Sequence, residues 1–111
     1  MIWTGWNNGS HHESGAGYGF KVDAVDRDRH FRRNWTTVIV DLPGHAGTIT
    51  AEMNVAKKSF WSAQCRELIS RKVGRWLIEE GYALRSAGLP PKFEVEQSAV
   101  RRFAVKRCVT V

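Results

Sequence analysis

Two runs of β-branched and aromatic residues in the middle of the chain predict a β-hairpin. Residues 35–42 read WTTVIVDL and residues 48–55 read TITAEMNV, and both have the composition of strands. The segment PGHAG between them has the composition of a turn. Alternation places the apolar side chains of the second run on one face: Ile49, Ala51, Met53 and Val55.

The segment from Ser59 to Glu80 has apolar residues at helical spacing. Ser59 is a residue type that caps helix N-termini, and Gly81 is the type that ends helices in the left-handed conformation. We therefore predict one long amphipathic helix over these residues. Its apolar face would consist of Trp61, Cys65, Leu68, Ile69, Val73, Trp76 and Leu77.

Shorter strands complete the predicted fold. The alternation in YGFKV at 18–22 predicts a strand, and DAVDRDRHF after it predicts a brief helical turn. Residues 93–97 and 102–109 predict two further antiparallel strands, and a loop is expected over Tyr82–Pro91 because of its glycine and proline residues. The predicted class is α+β, a mostly antiparallel sheet of about four to five strands with one long helix packed on one face.

The length of the chain favours a single domain. At 111 residues we expect one domain over residues 1–111, with residues 1–17 as a Gly-rich N-terminal arm or loop. The sequence leaves open whether Trp3 and Trp6 in this segment are buried or exposed. No continuous apolar run resembles a membrane span or a signal peptide, so we expect a cytoplasmic protein that makes no membrane contact.

The positive charge is concentrated in one short segment. Residues 57–75 carry six bases against Glu67 alone, which gives this segment +5 of the total net charge of +6. A concentrated basic patch favours a polyanionic partner. Lys57 and Lys58 would lie just before the N-terminus of the predicted long helix, where the helix dipole attracts an anion. The candidate anion-binding or nucleic-acid-binding residues are Lys57, Lys58, Arg71, Arg75, Arg101 and Arg102.

The segment SGAGYG predicts a ligand loop. Its backbone amides have little steric cover, so Ser14, Gly15 and Gly17 are candidates to hold an anion. The glycines precede a predicted strand instead of opening a helix, which excludes a dinucleotide-binding loop. The alternative is a turn that lets the following aromatic residues enter the sheet.

The segment DRDRHFRR carries candidate catalytic residues. On a helix, one face would present Asp26, Arg29, His30 and Arg33. His30 would act as a general base on a phosphodiester, and the arginines would stabilise the charge of the transition state. A solvated helix with ion pairs would have the same sequence, so we commit to no catalytic residue.

The sequence predicts neither a metal site nor a cofactor. His11 and His12 are adjacent and would point to opposite sides of an extended chain. Cys65 and Cys108 have no ligand spacing around them, whereas zinc sites need three or four ligands in a consistent pattern.

Three functions remain open from the sequence. The leading hypothesis is a small binding domain whose basic surface contacts nucleic acid or an acidic protein partner. The first alternative is a small phosphate-handling hydrolase or nuclease that uses His30 with neighbouring Arg and Asp residues. The second is a protein-interaction module that uses Trp3, Trp6 and a sheet edge. The ligand, the presence of catalysis and the oligomeric state are not determined by the sequence.

Overall fold

Most of the secondary structure is β-strand. A computed structural model describes residues 1–84 and 89–109. Its strands are β1 Ile2–Asn7, β2 Tyr18–Val22, β3 Thr37–Gly44, β4 Gly47–Asn54, β5 Glu67–Ile69, β6 Lys92–Ala99 and β7 Arg102–Cys108. Its helices are α1 Ala24–His30, α2 Arg71–Glu79 and the short 3₁₀ helices Lys58–Trp61 and Tyr82–Leu84.

The strands form one mixed, nearly closed sheet. Over the described residues the strand order is β4-β3-β7-β6-β1-β2-β5. β3 and β7 are parallel, and the other neighbouring strands are antiparallel. β4 and β5 are consecutive in the chain but lie at the two edges of the sheet. The sheet curls into a barrel, and Lys72 donates from Nζ to the carbonyl oxygen of Thr50 on the β4 edge at 3.1 Å.

Aromatic side chains fill the interior of this barrel. Trp3, Phe31 and Phe103 lie together, with ring centroids 4.7 Å apart for Phe31 and Phe103 and 5.4 Å apart for Trp3 and Phe103. The other buried aromatic residues in the described part of the chain are Tyr18, Phe20, Phe60, Trp76 and Phe93. Burial of this apolar area is the main source of stability in a chain of this size.

The two ends of the barrel carry different elements. We call one the α1 end: it holds α1, the 3₁₀ helix Lys58–Trp61 and the turn between β6 and β7. We call the other the α2 end: it holds the β1–β2 loop, the β3–β4 turn and α2, which directly follows β5. At the α2 end, Trp76 donates from Nε1 to the carbonyl oxygen of Pro43 at 2.9 Å.

The predicted fold class is wrong. The described residues form seven strands in a mixed barrel-like sheet with two short α-helices, not four to five antiparallel strands with one long helix. The segment predicted as that helix contains a 3₁₀ helix, β5 and α2 in succession. Arg66 has a left-handed backbone, with φ of 64°, which interrupts any helix, and its carbonyl oxygen accepts from the amide of Val22, the last residue of β2. The Ser70 hydroxyl then caps a new helix by accepting from the Val73 amide.

The N-terminal segment also differs from expectation. Residues 2–7, expected in an arm or loop, form β1 between β6 and β2. Trp3 points inward and is fully buried, whereas Trp6 is half-buried. Strand alternation therefore continues through a segment that its glycine and asparagine residues had suggested to be irregular.

Other predicted elements are confirmed with shifted boundaries. β2 occupies the predicted residues, β3 and β4 form the predicted hairpin, and β6 and β7 pair antiparallel. The hairpin turn is shorter than predicted because β3 continues to Gly44. Of the loop predicted over Tyr82–Pro91, residues 82–84 form a 3₁₀ helix and residues 85–88 lie outside the described part of the chain.

Candidate functional site

Three bases of β7 on the outer face of the sheet form ion pairs with acids on neighbouring strands. Arg102 donates to both oxygens of Asp41, from Nε at 2.8 Å and from Nη2 at 3.0 Å. The Arg102 guanidinium lowers the pKa of Asp41 below that of an ordinary carboxyl. Two further ion pairs link β6 to β7: Glu94 with Arg107 and Glu96 with Lys106. This face therefore offers a ligand little unpaired charge.

The α1 end carries two adjacent basic segments. Phe31 and Phe60 are buried with ring centroids 5.0 Å apart, and they anchor the segments at 30–36 and 55–61. The Val55 amide donates to the Thr36 carbonyl oxygen at 3.0 Å, which joins the segments directly. Neither segment contains Asp or Glu. Together they bring four basic side chains to the α1 end: Arg32, Arg33, Lys57 and Lys58.

Trp61 lies among these basic side chains. Its Nε1 donates to the Val55 carbonyl oxygen at 2.8 Å, and its half-buried ring has the Arg33 guanidinium 4.8 Å from its centroid. Trp35 is also half-buried and lies 6.2 Å from Phe31 between ring centroids. Basic side chains interleaved with aromatic rings are typical of polyanion-binding surfaces. We call the following residues the basic–aromatic surface: Arg32, Arg33, Trp35, Lys57, Lys58 and Trp61.

Arg27 supports this surface from the interior of the protein. Its side chain is buried, and Nη1 donates to the carbonyl oxygens of Phe60 at 3.1 Å and Ser62 at 2.7 Å. Its Nε donates to Asp28 at 3.0 Å. Sequence reasoning missed Arg27, although its position four residues before Phe31 places it on the core-facing side of α1 and would have identified it.

Lys57 lies partly inside the surface. Burial lowers the pKa of its ammonium group, and the nearby Glu67 carboxylate acts in the opposite direction. The Glu67 Oε2 atom is itself buried and has no hydrogen-bond partner among the described residues. A positive charge held close to low-dielectric protein interacts more strongly with an anion than a fully solvated one does.

The predicted anion-binding residues separate into different groups. Lys57 and Lys58 lead into a short 3₁₀ helix at the α1 end instead of preceding a long helix, which corrects the helix-dipole argument. Arg101 lies in the β6–β7 turn at the same end. Arg71 and Arg75 are exposed on α2 at the opposite end. Arg102 is engaged by Asp41 on the outer face, as described above.

The candidate catalytic residues do not share one partner. α1 ends at His30, whose Nδ1 lies 3.1 Å from Gln97 Oε1. Arg33 lies beyond the helix and contacts Trp61. Among the described residues, no hydrogen bond or ion pair joins Asp26, Arg29 and His30 to one another.

The predicted ligand loop is packed on α2. The Gly15 amide donates to the His12 carbonyl oxygen at 3.0 Å, and the Gly17 carbonyl oxygen accepts from the Asn8 amide at 2.9 Å. The exposed Ser14 hydroxyl accepts weakly from Ala16 at 3.4 Å. The amide of Gly15 thus already has an acceptor within the loop, and an anion-binding role for this loop stays a prediction.

The histidines of this loop do not belong to a recognisable metal cluster. His11 Nδ1 lies 2.7 Å from the Tyr18 hydroxyl. Within residues 1–84 and 89–109, no group of three or more His, Cys, Asp or Glu residues is arranged to hold a metal ion. In the same part of the chain, no helix has the length and apolar character needed to cross a membrane.

Comparisons with protein-family models, with curated proteins and with solved structures found no match to this chain. The function must therefore be argued from the geometry itself. Fold and site define a small barrel-like domain with a basic–aromatic surface at its α1 end.

Proposed function

We propose that the protein binds nucleic acid through the basic–aromatic surface. The observation that carries the proposal is the joining of two acid-free segments, which places exposed Arg32 and Lys58 beside the Arg33–Trp61 contact. Among the described residues, Arg32, Arg33 and Lys58 form no ion pair. Unpaired lysines and arginines release counterions from phosphates, and aromatic rings add contacts that phosphates alone do not make.

The other surfaces are poorer candidates for the same role. Three bases on β7, Arg102, Lys106 and Arg107, are paired with carboxylates on the outer face of the sheet. The α2 end presents Arg71 and Arg75, but α2 also carries Glu79 and is followed by Glu80; Trp76 on this helix is buried, and Trp6 at the end of β1 is half-buried. The α1 end combines two half-buried tryptophans with Arg32, Arg33 and Lys58, which form no ion pair among the described residues, and α1 beside them carries Asp26 and Asp28.

A salt titration tests the binding. A fluorescently labelled oligonucleotide is titrated with the protein at several salt concentrations, and anisotropy reports the dissociation constant. If four Lys and Arg side chains contact phosphates, the logarithm of the association constant should fall with the logarithm of the salt concentration, with a slope of about −3. Unchanged anisotropy at about 10 µM protein and low salt would exclude nucleic-acid binding.

Two matched double variants test the location. Arg32→Ala with Lys58→Ala removes two charges from the α1 end, and Arg71→Ala with Arg75→Ala removes two from the α2 end. We expect the first pair to weaken binding by about tenfold or more and to reduce the salt slope by about 1.5. The second pair should have a much smaller effect. Equal losses for both pairs would mean that binding depends on overall charge alone.

A further inference from the structure

We propose that Trp61 is a stacking platform for an unpaired base, so that the ligand of the basic–aromatic surface is single-stranded nucleic acid. This inference rests on the proposed function and specifies its ligand. The evidence is the set of contacts around the indole ring of Trp61. Buried groups hold the ring in place, and the exposed Arg33 side chain lies over it.

The position of the ring is set before any ligand arrives. The Val55 carbonyl oxygen accepts from Nε1 at 2.8 Å, and the Phe60 ring meets Trp61 edge-on, with centroids 5.4 Å apart and planes at 86°. The Arg27 guanidinium lies 5.3 Å from the centroid and is itself held by the two carbonyl oxygens described above. A ring immobilised in this way loses little conformational entropy when a base stacks on it.

Arg33 lies over the Trp61 ring and can be displaced from it by a nucleobase. Its side chain is exposed, and its guanidinium lies 4.8 Å from the ring centroid. Among the described residues no hydrogen bond or ion pair holds it there. A cation–π contact at an exposed site is weaker than stacking of a base on an aromatic ring, so a base is expected to replace Arg33. The released guanidinium is then free to bind a phosphate of the same strand.

Only an unpaired base can make this contact. The faces of bases in a duplex are already stacked on their neighbours, and extracting one carries an unstacking cost. A sulfated polysaccharide such as heparin offers negative charge without any base. Duplex DNA and heparin therefore engage the basic side chains without reaching the ring of Trp61.

The test compares three ligands across Trp61 variants. Wild-type protein, Trp61→Phe and Trp61→Leu are titrated with a single-stranded oligonucleotide, the matching duplex and heparin, after thermal denaturation has shown that each is folded. We expect Trp61→Leu to lose about tenfold in affinity for the single strand and less than about twofold for the other two ligands. Trp61→Phe, which keeps an aromatic face, should retain most of the single-strand affinity.

Arg33 and Arg32 provide a second, independent comparison. Arg33→Ala and Arg32→Ala each remove one exposed charge, so they should weaken heparin binding equally. On the single strand, Arg33→Ala should lose less than Arg32→Ala because the ring is uncovered in advance.

The possible failures are distinguishable. If the wild-type protein binds none of the three ligands, the proposed function fails. If it binds all three equally and Trp61→Leu weakens none of them, or weakens all equally, the proposed function stands and the stacking role of Trp61 is overturned. Equal single-strand losses for Arg33→Ala and Arg32→Ala would overturn the role of Arg33 as a cover.

Discussion

At the scale of single residues, Gly74 and Gly15 set how closely two segments of backbone can approach. Both are buried, and a Cβ atom added at Gly74 would lie 2.6 Å from the Gly15 Cα atom. Replacing a glycine inside a helix by alanine ordinarily stabilises a protein by about 1 kcal/mol. Here the collision with fixed backbone opposes that gain.

We therefore expect Gly74→Ala to destabilise the protein. The free energy of unfolding, measured by urea denaturation, should fall by about 1–3 kcal/mol because the β1–β2 loop must move away from α2. Arg75→Ala, at the exposed neighbouring position of the same helix, is the control and should change stability by no more than about 0.5 kcal/mol. A Gly74→Ala variant as stable as the wild type would show that the loop does not rest on α2.

The Asp41 carboxylate predicts a pH-dependent contribution to stability. Its pKa is lowered chiefly by the hydrogen bonds from Arg102. A carboxyl with a lowered pKa in the folded state stabilises that state fully above its ordinary pKa, and this contribution is lost as the pH falls through the lowered value.

Asp41→Asn should accordingly be less stable than the wild type at neutral pH, by a small amount because the pair is partly exposed. The difference should shrink as the pH falls below about 4. Urea denaturation across this range provides the measurement. Glu52→Gln, an exposed position on β4, serves as the control. A difference that stays constant into acid would contradict the assigned role of Asp41.

At the scale of elements, α1 and the 3₁₀ helix Lys58–Trp61 depend on each other. Each is too short to be stable alone. Arg27 joins them through hydrogen bonds to the carbonyl oxygens of Phe60 and Ser62, and the packing of Phe31 on Phe60 supports the same contact. The basic–aromatic surface is therefore built by the junction of two elements.

Arg27→Met should weaken this junction. Removing a buried charged donor leaves its two carbonyl acceptors unpaired, and the free energy of unfolding should fall by about 2–4 kcal/mol. Amide hydrogen exchange should become faster in the segment 58–62. Arg29→Met on the exposed side of the same helix is the matched control and should leave both measurements nearly unchanged. Unaltered exchange in Arg27→Met would contradict the clamping role.

The elements that the sequence predicts well are those with local signals. The β3–β4 hairpin combines β-branched runs with a turn segment, and β2 has strict alternation. The region predicted as one helix has apolar residues at helical spacing, but they belong to three different elements: Trp61 to a 3₁₀ helix, Leu68 to β5 and Trp76 to α2. The left-handed backbone of Arg66 has no signal in its residue type.

At the scale of the whole molecule, closure of the sheet was not predictable from local patterns. β5 has only three residues, and its pairing with β2 is a contact between distant parts of the chain. Contacts between distant segments also determine which residues meet in the basic–aromatic surface. Lys57 and Lys58 were predicted from the basic segment and from the dipole of a long helix that does not form, and their neighbours Arg33 and Trp61 were assigned other roles.

Charge is distributed unevenly over the folded molecule. Three bases on the outer face of the sheet are paired with cross-strand carboxylates, whereas the segments 30–36 and 55–61 at the α1 end contain no carboxylate and lie next to Asp26 and Asp28 of α1. A field concentrated at one end should guide an anionic ligand to that end. This asymmetry supports the proposal that nucleic acid binds at the α1 end.

Mapping the bound surface by NMR tests that claim most directly. Isotope-labelled protein is titrated with an oligonucleotide, and changes in amide and indole chemical shifts are followed residue by residue. Binding at the α1 end predicts that the largest changes fall in the segments 30–36 and 55–61 and include the indole N–H of Trp61. Changes centred instead on α2 and the β1–β2 loop would contradict it.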